Sequence, residues 1–155
     1  MKILLLAIGK QHDSALANAI NSYTTRLQHY CQPSWRLVGA AKGKIALDVA
    51  RKLESDTIRA EIAPSDYVVL LDERGKQISS PELAKLLEAR QQQTSKRVVI
   101  IIGGAYGVDD DLRKRADFVW SLSRLVFPHQ LVRLILAEQL YRTFSIIKGE
   151  PYHHQ

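Results

Sequence analysis

The chain has 155 residues, 46% hydrophobic and 25% charged, a balance that excludes a disordered or fibrous protein and fits one compact domain over residues 1–155. With 22 Lys and Arg against 16 Asp and Glu the net charge is +6 and the pI about 9.5, which favours an anionic partner, nucleic acid among them. The single Cys31 excludes an intrachain disulfide and a multi-cysteine zinc site and points to a reducing, cytoplasmic setting.

Ile3 to Ile8 is an apolar run that stops at Gly9-Lys10 without a following small-residue cleavage site, so it reads as a buried strand rather than a signal peptide. No run reaches the ~20 apolar residues of a membrane span, and the expectation is a soluble, unexported protein. Asp13 is placed to cap a helix in which Leu16, Ile20, Tyr23, Leu27 and Tyr30 recur at spacings of four and three and so face a sheet. A short strand is expected over Ser34 to Val38, a basic loop of small residues over Gly39 to Lys44, and a helix over Ile45 to Ile62.

Tyr67 to Leu71 reads as a buried strand closed by the polar turn Asp72-Glu73-Arg74-Gly75-Lys76. Ser79, Pro81 and Glu82 make a capping-box start for a helix through Leu83, Leu86 and Leu87. Arg97 to Ile102 is the clearest strand, because Val98 to Ile102 are all β-branched, and it runs directly into Gly103-Gly104-Ala105-Tyr106-Gly107. A short helix over Asp109 to Ala116, a fifth strand over Phe118 to Leu122 and a long helix from Pro128 to Lys148, ended by Gly149, complete the order. This alternation implies an α/β protein with a parallel sheet covered on both faces.

Open parallel sheets bind ligands where loops leave the carboxyl ends of the strands. That rule selects Asp72 to Lys76, Gly103 to Val108 and Ser123 to Pro128. Gly103-Gly104 admits either a close backbone approach to a ligand or a tight turn, but neither the dinucleotide fingerprint nor a P-loop is present. Positive charge gathers toward the C-terminus, where Leu112 to Gln155 hold seven Lys or Arg against three acids. In the last helix Arg133, Arg142 and Lys148 accompany Leu134, Ile135, Leu136, Leu140, Phe144 and Ile147, an apolar set wider than one sheet-facing stripe. A subunit interface or a monomer core accounts for the extra width. Glu138 and Arg142 are spaced as a helix ion pair. His129, His153 and His154 lack carboxylate or thiolate companions at ligand spacing, so no metal is expected. Tyr152-His153 suits base stacking beside a titratable imidazole, against the alternative of a frayed tail.

Six segments together resemble the RlmH family, the YbeA-like SPOUT methyltransferases. They are Leu70 to Lys76, Ile102 to Gly107, Ser121-Leu122-Ser123, Phe127 to Arg133, Glu138 to Arg142, and Pro151-Tyr152-His153. The resemblance runs the length of the chain and implies a parallel-sheet SPOUT methyltransferase fold with a C-terminal trefoil knot, S-adenosyl-L-methionine as methyl donor, and a homodimer. It further implies methylation of 23S rRNA at N3 of a hairpin-loop pseudouridine in the assembled ribosome. The family's cofactor contacts carry over to Leu71, Gly103, Leu122, Ser123, Arg124, Leu125, Val126 and Phe127. Catalytic roles are expected for His153 as proton acceptor or orienting group, Arg142 stabilising an imidate, and Tyr152 contacting the base.

Three positions depart from the family pattern. His154-Gln155 stand where members often carry Lys or Arg, so a phosphate contact there falls to a protonated His154, and Tyr106 is bulky enough to narrow a pocket mouth. The competing readings are a non-enzymatic ribosome-binding factor, which would bind RNA without the cofactor, and a SPOUT enzyme acting at another RNA position.

Overall fold

The computed structural model describes residues 1–93 and 97–154. Its strands are β1 (Lys2–Ile8), β2 (Gln32–Val38), β3 (Tyr67–Lys76), β4 (Val98–Ile102) and β5 (Phe118–Trp120), and its helices are α1 (Ser14–Leu27), α2 (Leu47–Arg59), α3 (Ser80–Gln91), α4 (Asp110–Arg115) and α5 (His129–Ile147). The strands form one sheet in the order β2-β1-β4-β3-β5, with every pairing parallel.

Strand β4 is apolar throughout because both of its faces are covered. Its Val98, Ile100 and Ile102 join Ile3, Leu5 and Ala7 of β1 in a core closed by Leu27 of α1, Leu83 and Leu87 of α3, and Leu136, Leu140 and Phe144 of α5. Val99 and Ile101 join Leu4, Leu6 and Ile8 on the other face, under Ile58 of α2 and Leu112 of α4. Helix starts follow the local signals. The Asp13 carboxylate accepts from the Ala15 N–H at 2.8 Å, and Ser79 and Glu82 form a reciprocal capping box. Pro33 is tolerated because β2 is an edge strand. No helix among the described residues is long and apolar enough to cross a membrane.

Strand β2 begins two residues before the expected Ser34 and α2 is shorter at both ends than the expected Ile45 to Ile62; three further differences bear on the site. Residues Asp72 to Lys76 do not close β3 as a turn, since Leu71 and Lys76 both pair with Trp120 and the residues between them bulge out of the ladder. Gly75 makes this possible. A Cβ there would lie 2.6 Å from the Val119 carbonyl oxygen, so only glycine lets β3 return against β5. Strand β5 stops at Trp120, two residues early, because the Ser121 hydroxyl donates to the Ser123 carbonyl at 2.9 Å and turns the chain. Arg133 does not contribute to a basic surface, being only 1% exposed.

The wide apolar set of α5 is taken up largely within the chain, because this helix packs against both α1 and α3 and Val132, Tyr141 and Ile147 also lie on the core. Leu134 and Ile135 remain half-buried. Gly75→Ala is expected to destabilise the protein by about 1–3 kcal/mol through overpacking, read as a lowered urea midpoint; an unchanged midpoint would show that β3 and β5 have room to separate.

Candidate functional site

A cavity of about 530 Å³ opens at the carboxyl edge of β3, β4 and β5, a size suited to a cofactor-sized ligand. Its floor is the loop that leaves β4. Gly107, with φ +73°, closes a tight turn in which its N–H donates to the Gly104 carbonyl at 3.1 Å. A Cβ on Gly103 would meet Val108 Cγ1 at 3.3 Å, whereas one on Gly104 would fall 2.6 Å from Glu54 Oε1. Gly104 is therefore the more constrained of the pair.

Helix α2 holds this loop along one edge. Arg51 Nε donates to the Tyr106 carbonyl at 2.8 Å, and the Ser55 hydroxyl accepts from the Asp109 N–H at 2.9 Å. Arg59 clasps the Asp109 carboxylate at 2.7 and 2.8 Å and thereby holds that carboxyl below its usual range. Asp109 also caps α4 through the Leu112 N–H. Glu54 lies beneath, 4% exposed, and accepts from the Ala41 N–H at 2.9 Å, so α2 also ties down the basic loop before it.

The β3 bulge supplies a second wall. Burial opposes ionisation of Asp72, but hydrogen bonds from the Arg74 side chain and backbone and from Arg113 outweigh it and hold the carboxyl below its usual range. The third wall is the segment after β5, braced by the Leu125 N–H donating to the Ser123 hydroxyl at 3.0 Å. Leu125 and Val126 project outward at 70% and 80% exposure. Where α5 begins, Gln130 accepts from the Asp13 N–H at 2.9 Å, and Arg133 donates to the Lys10 carbonyl at 2.9 Å and the Ile8 carbonyl at 3.4 Å. These contacts explain two polar residues of the segment Phe127 to Arg133: they fasten the end of β1.

A second cluster lies near the far end of α5. Gly149, at φ +70°, ends the helix in a Schellman turn, with Glu150 N–H donating to the Ser145 carbonyl and Gly149 N–H to the Ile146 carbonyl. The tail then folds back and docks. Arg142 pairs with Glu138 at 2.6 Å, the Tyr152 hydroxyl donates to Glu138 at 3.1 Å, and Arg142 meets His153 Nδ1 at 3.2 Å. Burial, with the bonds to Tyr23 and Glu138, pushes the Tyr152 phenol pKa up. Because a guanidinium only donates, Nδ1 of His153 is the acceptor and the imidazole proton sits on Nε2. Tyr152 and His153 are half-buried rather than frayed, while Gln155 lies outside the described residues.

Of the residues expected to hold a cofactor, Leu71, Gly103, Leu122, Ser123, Leu125, Val126 and Phe127 line the cavity, as does Tyr106, which stands 44% exposed. Arg124 is exposed and is not part of that lining. Arg142, Tyr152 and His153 come together with one another but not with the cavity. The last cavity residue on α5 is Val132, and Arg142 lies ten residues further along the helix, about 15 Å away at the α-helical rise. Gly104 and Asp72 belong to the strand-end loops that the sequence selects, whereas Arg51 and Glu54 of α2 carry no local signal in the sequence.

A family model described as "Predicted SPOUT methyltransferase" matches residues 1–153. Among curated proteins, the chain is similar to Ribosomal RNA large subunit methyltransferase H of Christiangramia forsetii, 42% identical with all of both chains covered. It is also similar to the protein of that name from Geotalea daltonii, 41% identical over 99% of this chain and 100% of the relative. The chain belongs to the SPOUT methyltransferase family. A solved structure of a probable methylase family protein from Haemophilus influenzae Rd KW20 shares the fold, with a TM-score of 0.56 at 11% identity over 99% of this chain and 70% of that one.

The junction of β1 and α5 generates a pH prediction. His12 packs edge-on to Trp35 at 4.8 Å, and burial followed by the nearby Arg133 lowers its pKa from 6.5. Below pH 6.5 the unfolded chain takes up a proton that the fold resists, so the stability carried by neutral His12 is full above that pH and lost as pH falls toward the depressed native value. Urea unfolding should show a steeper loss of stability between pH 7 and 5.5 for the wild type than for His12→Gln; identical slopes would remove His12 from the account.

Proposed function

We infer that this chain is an S-adenosyl-L-methionine-dependent methyltransferase of large-subunit ribosomal RNA, acting as a homodimer on N3 of a hairpin-loop pseudouridine in 23S rRNA of the assembled ribosome. One observation carries the reading: Leu71, Gly103 and most of the 122–127 run, the positions matched to the family's cofactor contacts, converge on a single cavity. Relatives curated as Ribosomal RNA large subunit methyltransferase H, similar over essentially the whole chain, support the substrate class. The match of the SPOUT methyltransferase family model to residues 1–153 supports reading the C-terminal segment as the trefoil knot.

The residues fit the cofactor. Three glycines floor the cavity, apolar side chains of Leu71, Trp120 and Phe127 line it, and a buried carboxylate lies behind the floor. When bound, S-adenosylmethionine supplies an electrophilic methyl group. What the chain must add is alignment, exclusion of water and help in removing the N3 proton from a weakly acidic imide. Arg142, Tyr152 and His153 are the groups for that task, with Arg142 favouring the imidate, Tyr152 meeting the base, and His153 presenting Nε2–H as an orienting donor while Arg142 occupies Nδ1. Proton acceptance at Nδ1 requires Arg142 to swing away. About 15 Å of rigid helix separates these groups from their own cavity, which supports a site completed by the tail of a second copy. The exposed Leu125 and Val126 at the cavity rim offer apolar surface for that contact.

S-adenosylmethionine is expected to stabilise the native protein by about 2.7 kcal/mol at a concentration of about 100 Kd, and a folded Gly103→Val variant should lose the thermal shift. Normal affinity in that variant would take Gly103 out of the site. Deleting residues 151–155 should lower the single-turnover methylation rate on ribosomes by about 100-fold or more, with cofactor affinity kept within a few-fold; Arg142→Ala should lower it likewise. Unchanged rates for both would leave the cavity assignment standing and overturn the catalytic one.

A further inference from the structure

Glu54 is a buried acid close to the cavity, 4% exposed, that makes no side-chain ion pair among the described residues. One carboxylate oxygen accepts from Ala41 N–H, while the other, Oε1, is buried and has no hydrogen-bond partner among the described residues. Of the cations of α2, Lys52 pairs with Asp56 and Arg59 with Asp109 and Asp56, while Arg51, which lines the cavity, donates to the Tyr106 carbonyl rather than to Glu54. Of the two acids in the cavity lining, Asp72 is paired with both Arg74 and Arg113 and Glu73 is exposed to solvent. Oε1, with Ile8 Cγ2, occupies the space a side chain on residue 104 would fill, so it lies directly behind Gly104, which lines the cavity.

A buried carboxylate without a cation is costly, and anything that brings positive charge within a few ångströms in a low-dielectric setting offsets that cost. The methyl donor is a sulfonium cation, whereas its product is a neutral thioether. We propose that Glu54 is a charge-selecting residue of the cofactor pocket, whose unpaired carboxylate behind Gly104 favours the cationic donor over its neutral product. Loss of the methyl group then removes the attraction, and release of the product is eased. The proposal rests on reading the cavity as the cofactor site.

Titration calorimetry separates the two. S-adenosylmethionine, its non-reactive cationic analogue sinefungin, and S-adenosylhomocysteine are measured against wild type, Glu54→Gln, Glu54→Met and Glu54→Asp. In Gln and Met variants that fold, the two cationic ligands should weaken by about tenfold relative to the thioether. Glu54→Asp should keep the wild-type ratio within about threefold. Equal weakening of all three ligands in a neutral variant would mean that Glu54 only supports the loop, and an unchanged ratio would remove its charge from the site; either result overturns the proposal. If wild type binds none of the ligands, the cofactor reading itself fails. The Met variant keeps the test open should Gln at this position not fold.

Discussion

The placement of β4 between β1 and β3 governs the geometry of everything above the sheet. Because both ladders are parallel and in step, Ile102 lies level with Ala7 on one side and Leu71 on the other. Three chain segments therefore leave the sheet at one height. An open sheet whose order reverses next to β1 would be expected to bind its ligand in the crevice between β1 and β4. Here that crevice is closed. Arg133 reaches down from α5 to the carbonyls of Ile8 and Lys10, buried without a carboxylate partner among the described residues, and the cavity opens instead over β3, β4 and β5.

Two adjacent residues of α2 show how packing becomes site geometry. Ser55 steadies the far end of the glycine loop through Asp109, while Glu54 fills the space beneath its near end and holds Ala41. Ala50 and Ile58 of the same helix are buried, Ile58 within the core beneath the sheet, so the helix that anchors the loop is itself anchored. A shift of the 39–46 segment is thus felt at Gly104 through a single side chain.

The parts of this arrangement that the sequence discloses are local ones. The β-branched run of β4, the Asp13 cap, the capping box at Ser79 and the stop at Gly149 each depend on a few neighbouring residues, and the structure has all four. The strand-end rule likewise found the three loops that wall the cavity. What remained hidden depends on distant partners. Arg133 looks like one more surface cation until its acceptors, 125 residues away at Ile8, are known. Residues Asp72 to Gly75 have the composition of a turn, and only the approach of β5 against Gly75 makes them a bulge. Glu54 sits in a charged stretch of an amphipathic helix, and nothing in that stretch marks it as the acid that faces inward.

The charge pattern also resolves a difficulty posed by ligands of opposite sign. A chain of net charge +6 attracts a polyanion, yet the same surplus would repel a sulfonium. Depth separates the two tasks. Exposed cations such as Lys42, Lys44 and Lys148 act through water, where their field is screened over about 8–10 Å at physiological salt, and so they govern encounter with RNA without reaching strongly into a cavity. Glu54 acts from inside, where no ions intervene and the effective dielectric is lower, and its influence is confined to whatever lies across Gly104. A basic surface and a cation-favouring cavity are therefore compatible in one small protein, provided that the acid is buried and neighbouring cations carry their own carboxylates, as Lys52 and Arg59 do.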